Sequence, residues 1–410
     1  MGPLSGLKVL DLSRVLAGPW AGQLLADLGA EVIKVEKPGD GDDTRSWGPA
    51  CLKDGDGNNT RESAYFLSAN RGKRSIAVDI QSYQGQGIIR KLAKNVDIVI
   101  ENYKVGGLAK YGLDYETLIE VNPALIYCSV TGFGQDGPYA ARAGYDFMMQ
   151  AMGGLMSITG ERAEDGGSPQ KVGVAISDIT TGLYSTIAIL AAVRHRDQTG
   201  EGQYIDMALL DVTAGLLANQ NMNYFITGNV PKCLGNAHPN IVPYRTFATM
   251  DGHIVLAVGN DKQFKSFLTV AERQDMLDDA RFLTNNDRVE NREILESILA
   301  GVMLGKTTKA WVEALEHAHV PCGPINTIKD VFEDPQIQHR GLKIELDHAL
   351  GCKVPQVKTP IKYSKTPLEY NRPPPMLGAD TKDVLLENGW SDEDISGYIA
   401  RGIINGADKE

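Results

Sequence analysis

Asp178 stands at the head of an apolar stretch, in Lys171-Val-Gly-Val-Ala-Ile-Ser-Asp178-Ile-Thr-Thr-Gly182. Ile179, Leu183, Ile187 and Leu190 recur at helical spacing, so the carboxylate falls at or just before a first helical turn. Free backbone N–H groups there keep a carboxylate ionised and fixed, which is the state a nucleophile needs. The same placement suits a plain N-cap that serves the helix alone. Arg194-His-Arg196 closes the stretch, and Gly200-Glu-Gly202 turns the chain into a strand-like Tyr204-Ile-Asp-Met-Ala208.

The elements that must position such a group begin at the N-terminus. Leu7–Ser13 reads as a strand, Pro19–Leu28 as a short helix closed by Gly29, and Glu31–Glu36 as a second strand, which together make a βαβ unit. Strand signals at Val96–Ile100 and Ala124–Val130 follow helical stretches near Tyr83–Lys94 and Tyr115–Val121, so the class is α/β with a parallel, doubly wound, Rossmann-like sheet. The first crossover turn, Val15-Leu-Ala-Gly18-Pro19-Trp20, lacks the G-x-G-x-x-G that lets a backbone approach a dinucleotide pyrophosphate, which disfavours a nicotinamide dehydrogenase. Past Tyr224 the texture changes, with a strand at Gly252–Val258 and helices near Asp261–Ala271, Asp287–Leu304 and Thr308–His317. The division expected is a large domain over 1–223, a smaller α/β domain over 224–329, and a C-terminal segment over 330–410.

Composition narrows the function classes. With 41 basic against 52 acidic residues the net charge is −11, which argues against a nucleic acid or an anionic membrane as the main partner. Met1–Leu7 carries no signal pattern, and no apolar run is read as approaching the roughly 20 residues of a bilayer span, so a cytoplasmic protein is expected. Five scattered cysteines without C-x-x-C spacing fit thiols in a reducing compartment, and His317 and His319 lack companions for a metal set, so no metal is expected.

The unit from Gly173 to Val212, and landmarks in order from Leu7 to Gly378, resemble the class III CoA-transferase family (the formyl-CoA transferase and CaiB/BaiF type). The resemblance implies that Asp178 attacks an acyl-CoA thioester, with CoA or acyl-CoA as substrate and no resident cofactor. It also implies an interlocked homodimer, small-molecule acyl-CoA and carboxylate partners, and a C-terminal segment that returns to the large domain. Relatives use the positions of Lys37, Asn70, Lys73, Asn102, Tyr103 and Lys110 for CoA, and Arg142, which follows the Gly132–Pro138 loop, is expected to bind CoA with them. Leu16, Ala17, Gly18, Tyr145, Asp146 and His238 are the implied supporting residues. Tyr145 stands where racemases of this fold place a histidine base, so proton exchange is disfavoured, although a packed structural tyrosine fits equally. Backbone N–H groups near Ala17-Gly18 and in Gly235-Asn-Ala-His238 are oxyanion candidates. His238-Pro-Asn240 replaces a mobile glycine loop of the formyl-CoA transferases.

Within the family, Leu16-Ala-Gly-Pro19, Gly41–Pro49, Ala237–Phe247 and Arg372-Pro-Pro-Pro375 look closest to the branch that pairs succinyl-CoA with glutarate. A dicarboxylate acceptor leaves one carboxylate to be bound, for which Arg45, Arg71, His238 and Arg245 are the candidates. A racemase or hydrolase of the same fold, or a non-catalytic CoA-binding protein, stands as the alternative.

Overall fold

Apolar strands without polar alternation must be covered on both faces, and the chain meets that demand with a seven-stranded sheet. The computed structural model describes residues 2–405. In spatial order the strands are Ile404–Asn405, Lys73–Val78, Glu31–Glu36, Lys8–Asp11, Ile98–Glu101, Ile126–Thr131 and Tyr204–Ala208. Six run parallel, and Ile404–Asn405 pairs antiparallel with Lys73–Val78. Val9, Ile98, Ile100, Ile126 and Val130 bury one face, while Leu10, Val99 and Tyr127 bury the other.

Strand order reverses at Lys8–Asp11, whose neighbours are Glu31–Glu36 on one side and Ile98–Glu101 on the other. In an open parallel sheet the loops leaving such a reversal form the ligand crevice. Here those loops start at Leu12 and Asn102. Over the face lined by Val9 and Ile100 lie two helices, Ala17–Asp27 and Ile176–Thr199. They pack so closely that a Cβ added to Gly182 would lie 2.8 Å from the Ala17 carbonyl oxygen.

The Ile176–Thr199 helix corrects one expectation. The helix has 24 residues and by length and composition is apolar enough to cross a membrane: an 18-residue window of it has a mean hydropathy of 1.5, and half of that window is buried inside the structure. Serine and threonine interrupt the run in the sequence, and they lower the apparent apolarity of a helix that is continuous in space.

Residues Met1–Leu155, Val172–Asn219 and Gly341–Glu410 form one unit, and Met156–Lys171 with Gln220–Arg340 form a second. The segment 156–171, expected with the large domain, therefore groups with the second unit. The return to the first begins at Gly341 rather than near 330. The second unit has a three-stranded antiparallel sheet of Tyr244–Ala248, His253–Ala257 and Cys322–Pro324. Helices Asp261–Val270, Arg292–Met303 and Thr308–His317 cover it, closing on Trp311, whose Nε1 donates to the Met303 carbonyl at 2.8 Å.

Candidate active site

Asp178 is the third residue of its helix, and the N-cap is Ala175, which has no side chain able to cap. Asp146 caps instead. Its Oδ1 accepts from the Ser177 N–H at 2.8 Å, and its Oδ2 accepts from Gln150 Nε2 at 2.7 Å. Asp178 is thereby released from the N-cap role, and no hydrogen bond to its carboxyl is seen among the described residues. Burial, and then the negative charge of Asp146, push that carboxyl up to about 7. The expectation that N–H groups of the helix end keep it ionised is thus reversed, because none among the described residues donates to this carboxyl and desolvation and a like charge act unopposed.

Tyr65 joins this pair, and sequence reasoning missed it. Its hydroxyl is raised first by burial and then by the charges of Asp178, Asp146 and Asp42, so it lies within electrostatic reach of all three. Trp47 holds the ring edge-on at 5.0 Å. Ser63 fixes the approach, since its Oγ donates to the Trp47 carbonyl at 2.7 Å and accepts from the Tyr65 N–H at 3.1 Å. The signal available in the sequence was Ser63 as N-cap of a short helix whose second residue is Tyr65.

Tyr145 is 66% exposed and is the extended N-cap residue of the Asp146–Met152 helix, so the alternative of a packed core tyrosine does not hold. Leu16, Ala17 and Gly18 are buried where the Ala17–Asp27 helix begins. As the first two helical residues, Ala17 and Gly18 have N–H groups without an intrahelical acceptor.

The cations expected to meet ligands divide into two groups. Lys37, Lys110 and Arg142 are exposed, and Lys110 and Arg142 lie over the rings of Tyr111 at 4.6 Å and Tyr139 at 3.9 Å. Tyr103 is half-buried beneath Arg14, 5.2 Å from its ring centre. Asn70, Lys73, Arg45 and Arg71 are interior. Lys73 Nζ donates to Asp11 at 2.8 Å, to the Pro19 carbonyl at 2.9 Å and to Asn70 Oδ1 at 2.9 Å, while Asn70 Nδ2 donates to the Phe66 carbonyl. Burial lowers the Lys73 ammonium to about 8 against the opposing pull of Asp11.

Arg45 lies between Glu36 and Glu62 and donates to the Pro375 carbonyl; Arg71 forks onto Asp27 and reaches Gln356 and the Val357 carbonyl. With their charges and donors satisfied in the interior, these four side chains read as structural rather than ligand-binding. In the second unit, His238 Nδ1 accepts from the Asn240 N–H at 3.1 Å, and burial followed by Arg292 lowers its imidazole below the ordinary range. Arg245 pairs there with Glu296 and donates from Nε to the Thr246 carbonyl at 3.2 Å.

Known proteins match this arrangement over most of its length. The profile of CoA-transferase family III matches residues 4–381. A succinate–glutarate CoA-transferase of Agrobacterium fabrum is 53% identical over 94% of this chain and 95% of its own. A human succinyl-CoA:glutarate CoA-transferase is 43% identical over 98% of this chain and 90% of its own. A CaiB/BaiF family protein from Brucella suis, solved by crystallography, superposes with a TM-score of 0.83 at 50% identity, covering 95% of this chain and all of that one. The chain belongs to CoA-transferase family III, and it is a CoA-transferase.

Proposed function

We propose that this enzyme moves CoA from succinyl-CoA to a dicarboxylic acid such as glutarate, through covalent intermediates on Asp178. The relatives named above carry that donor and acceptor in their names and align with this chain almost end to end. The observation that carries the chemistry is Asp178 itself, a half-buried carboxyl beside a helix start, relieved of capping by Asp146. An Asp178 oxygen attacks the thioester carbonyl, and the carbon–sulfur bond breaks to give a mixed anhydride and CoA thiolate. The thiolate then attacks the aspartyl carbonyl, releasing succinate and leaving an aspartyl-CoA thioester. The acceptor carboxylate attacks that thioester and expels the thiolate, which takes the new acyl group and restores the Asp178 carboxylate.

Each step passes through an oxyanion, for which the Ala17 and Gly18 N–H groups are the donors we assign. Lys37, Lys110 and Arg142 are the exposed cations assigned to CoA phosphates, and Tyr103 offers an aromatic shelf for the adenine. The interlocked homodimer of the family is part of this reading, and a monomer by light scattering at micromolar concentration counts against it.

Mass spectrometry after incubation with succinyl-CoA tests the chemistry, with a covalent adduct on a peptide containing Asp178 as the expected result. Asp178→Ala and Asp178→Asn should fold, show no adduct and lose transfer by more than roughly 1,000-fold, since neither supplies the attacking oxygen. Retention of a tenth of wild-type turnover in either variant overturns the assignment.

A further inference from the structure

Val15 adopts φ +70°, and of the four non-glycine residues with positive φ among those described it is the only β-branched one. A β-branched residue is strained in that region, and it stays there only if its surroundings hold it. The holding groups are visible on both sides. Immediately before Val15, the Asn102 side chain pairs with Arg14 as a second strand would, its Oδ1 accepting from the Arg14 N–H at 2.8 Å and its Nδ2 donating to the Arg14 carbonyl at 2.6 Å. At Val15 itself the N–H donates to both Asp42 carboxylate oxygens at 3.3 Å. Asp42 is in turn fixed by buried Lys34, whose Nζ donates to it at 2.8 Å and to the Ser13 carbonyl at 2.9 Å. The residues that follow Val15 are Leu16, Ala17 and Gly18, so the strained dihedral sets the direction in which the chain enters the helix.

We propose that Asn102 and Asp42 are positioning residues that hold Val15 in its left-handed conformation and thereby aim the Ala17 and Gly18 N–H groups at the reacting carbonyl. This gives Asn102 a part distinct from the CoA contact expected of its position. The inference rests on the reading of those N–H groups as oxyanion donors. A glycine at position 15 adopts the same φ without strain and needs no holding. Loss of the clamp should therefore be partly repaired by glycine, which a contact to CoA would not allow.

The test is a cycle of wild type, Asn102→Ala, Val15→Gly and the double variant, assayed with succinyl-CoA and glutarate. Asn102→Ala should lower kcat roughly ten-fold while changing the thioester KM by less than about three-fold. Val15→Gly introduced into Asn102→Ala should recover roughly three-fold or more in kcat. Asn102→Asp, which keeps the acceptor for the Arg14 N–H and loses the donor to its carbonyl, should fall between wild type and Asn102→Ala. Unfolding temperatures of the same four proteins should show coupling of the same sign, because the added chain freedom of glycine cancels across the cycle. Independent effects in both readouts, or a loss confined to KM, overturn the proposal. Absence of transfer in the wild type instead defeats the transferase reading, and the unfolding cycle then still decides the clamp.

Discussion

At the scale of the residue, the tuning of Asp178 is the feature with most consequence. A carboxyl raised to about 7 is partly protonated near neutrality, and only its ionised form attacks a thioester. The value of kcat/KM should therefore fall as pH drops through about 7. Asp146→Asn keeps an oxygen for the Ser177 N–H and removes the like charge, so the acid limb should move to lower pH. A pH profile unchanged by that substitution would exclude Asp146 as a cause. The same shift bears on stability. Because folding raises the Asp178 value, the folded state holds the proton more tightly, and stability is lost as pH rises from about 4 through 7. Asp178→Asn should accordingly unfold at a temperature roughly 2 °C above wild type at pH 8 and at the same temperature below pH 4, as calorimetry can read.

At the scale of the element, two helices share one close crossing. Gly182 lies one turn beyond Asp178, and a Cβ there would sit 2.8 Å from the Ala17 carbonyl and 3.0 Å from Trp20 Cβ. Alanine gains about 1 kcal/mol of helix propensity over glycine, yet backbone oxygen cannot yield as a flexible side chain does. Gly182→Ala should cost about 1–3 kcal/mol in stability and lower kcat more than it raises KM, since it separates the helix bearing Asp178 from the turn bearing Ala17. Chemical denaturation and steady-state kinetics check both halves, and unchanged values in each would show that the crossing has slack.

At the scale of the whole molecule, charge is distributed between interior and surface in a way that changes which cations can meet substrate. Arg71 and Asp27 form a buried pair at 2.6 Å, with side chains 3% and 2% exposed, and removing one partner leaves the other uncompensated. Arg71→Met should destabilise the protein by about 3–5 kcal/mol and leave the ratio of kcat/KM for glutarate over butyrate unchanged. A selective loss with glutarate would return Arg71 to the acceptor site.

Periodicity and punctuation in the chain determined the α/β class, most helix positions and the parallel sheet, because those signals are local and the central strands carry apolar runs such as Val9-Leu10 and Ile98-Val-Ile100. They also placed Asp178 at a helix start, since an apolar run marks its own beginning. The chain alone left open which carboxylate caps that helix. Asp146 and Ser177 are 31 residues apart, and only folding brings them within a hydrogen bond. The positive φ of Val15 was likewise silent in the sequence, and Tyr65 was signalled only through the cap of its short helix, since its place near Asp178 and Asp146 is a product of distant segments meeting. The basic residues Arg45, Arg71 and Lys73 looked alike as ligand contacts because sequence shows a charge but not its solvent. Tertiary structure turned these three inward onto Glu36, Asp27 and Asp11 and left Lys37, Lys110 and Arg142 outside, because a charge can be buried only where an opposite charge and hydrogen bonds replace water.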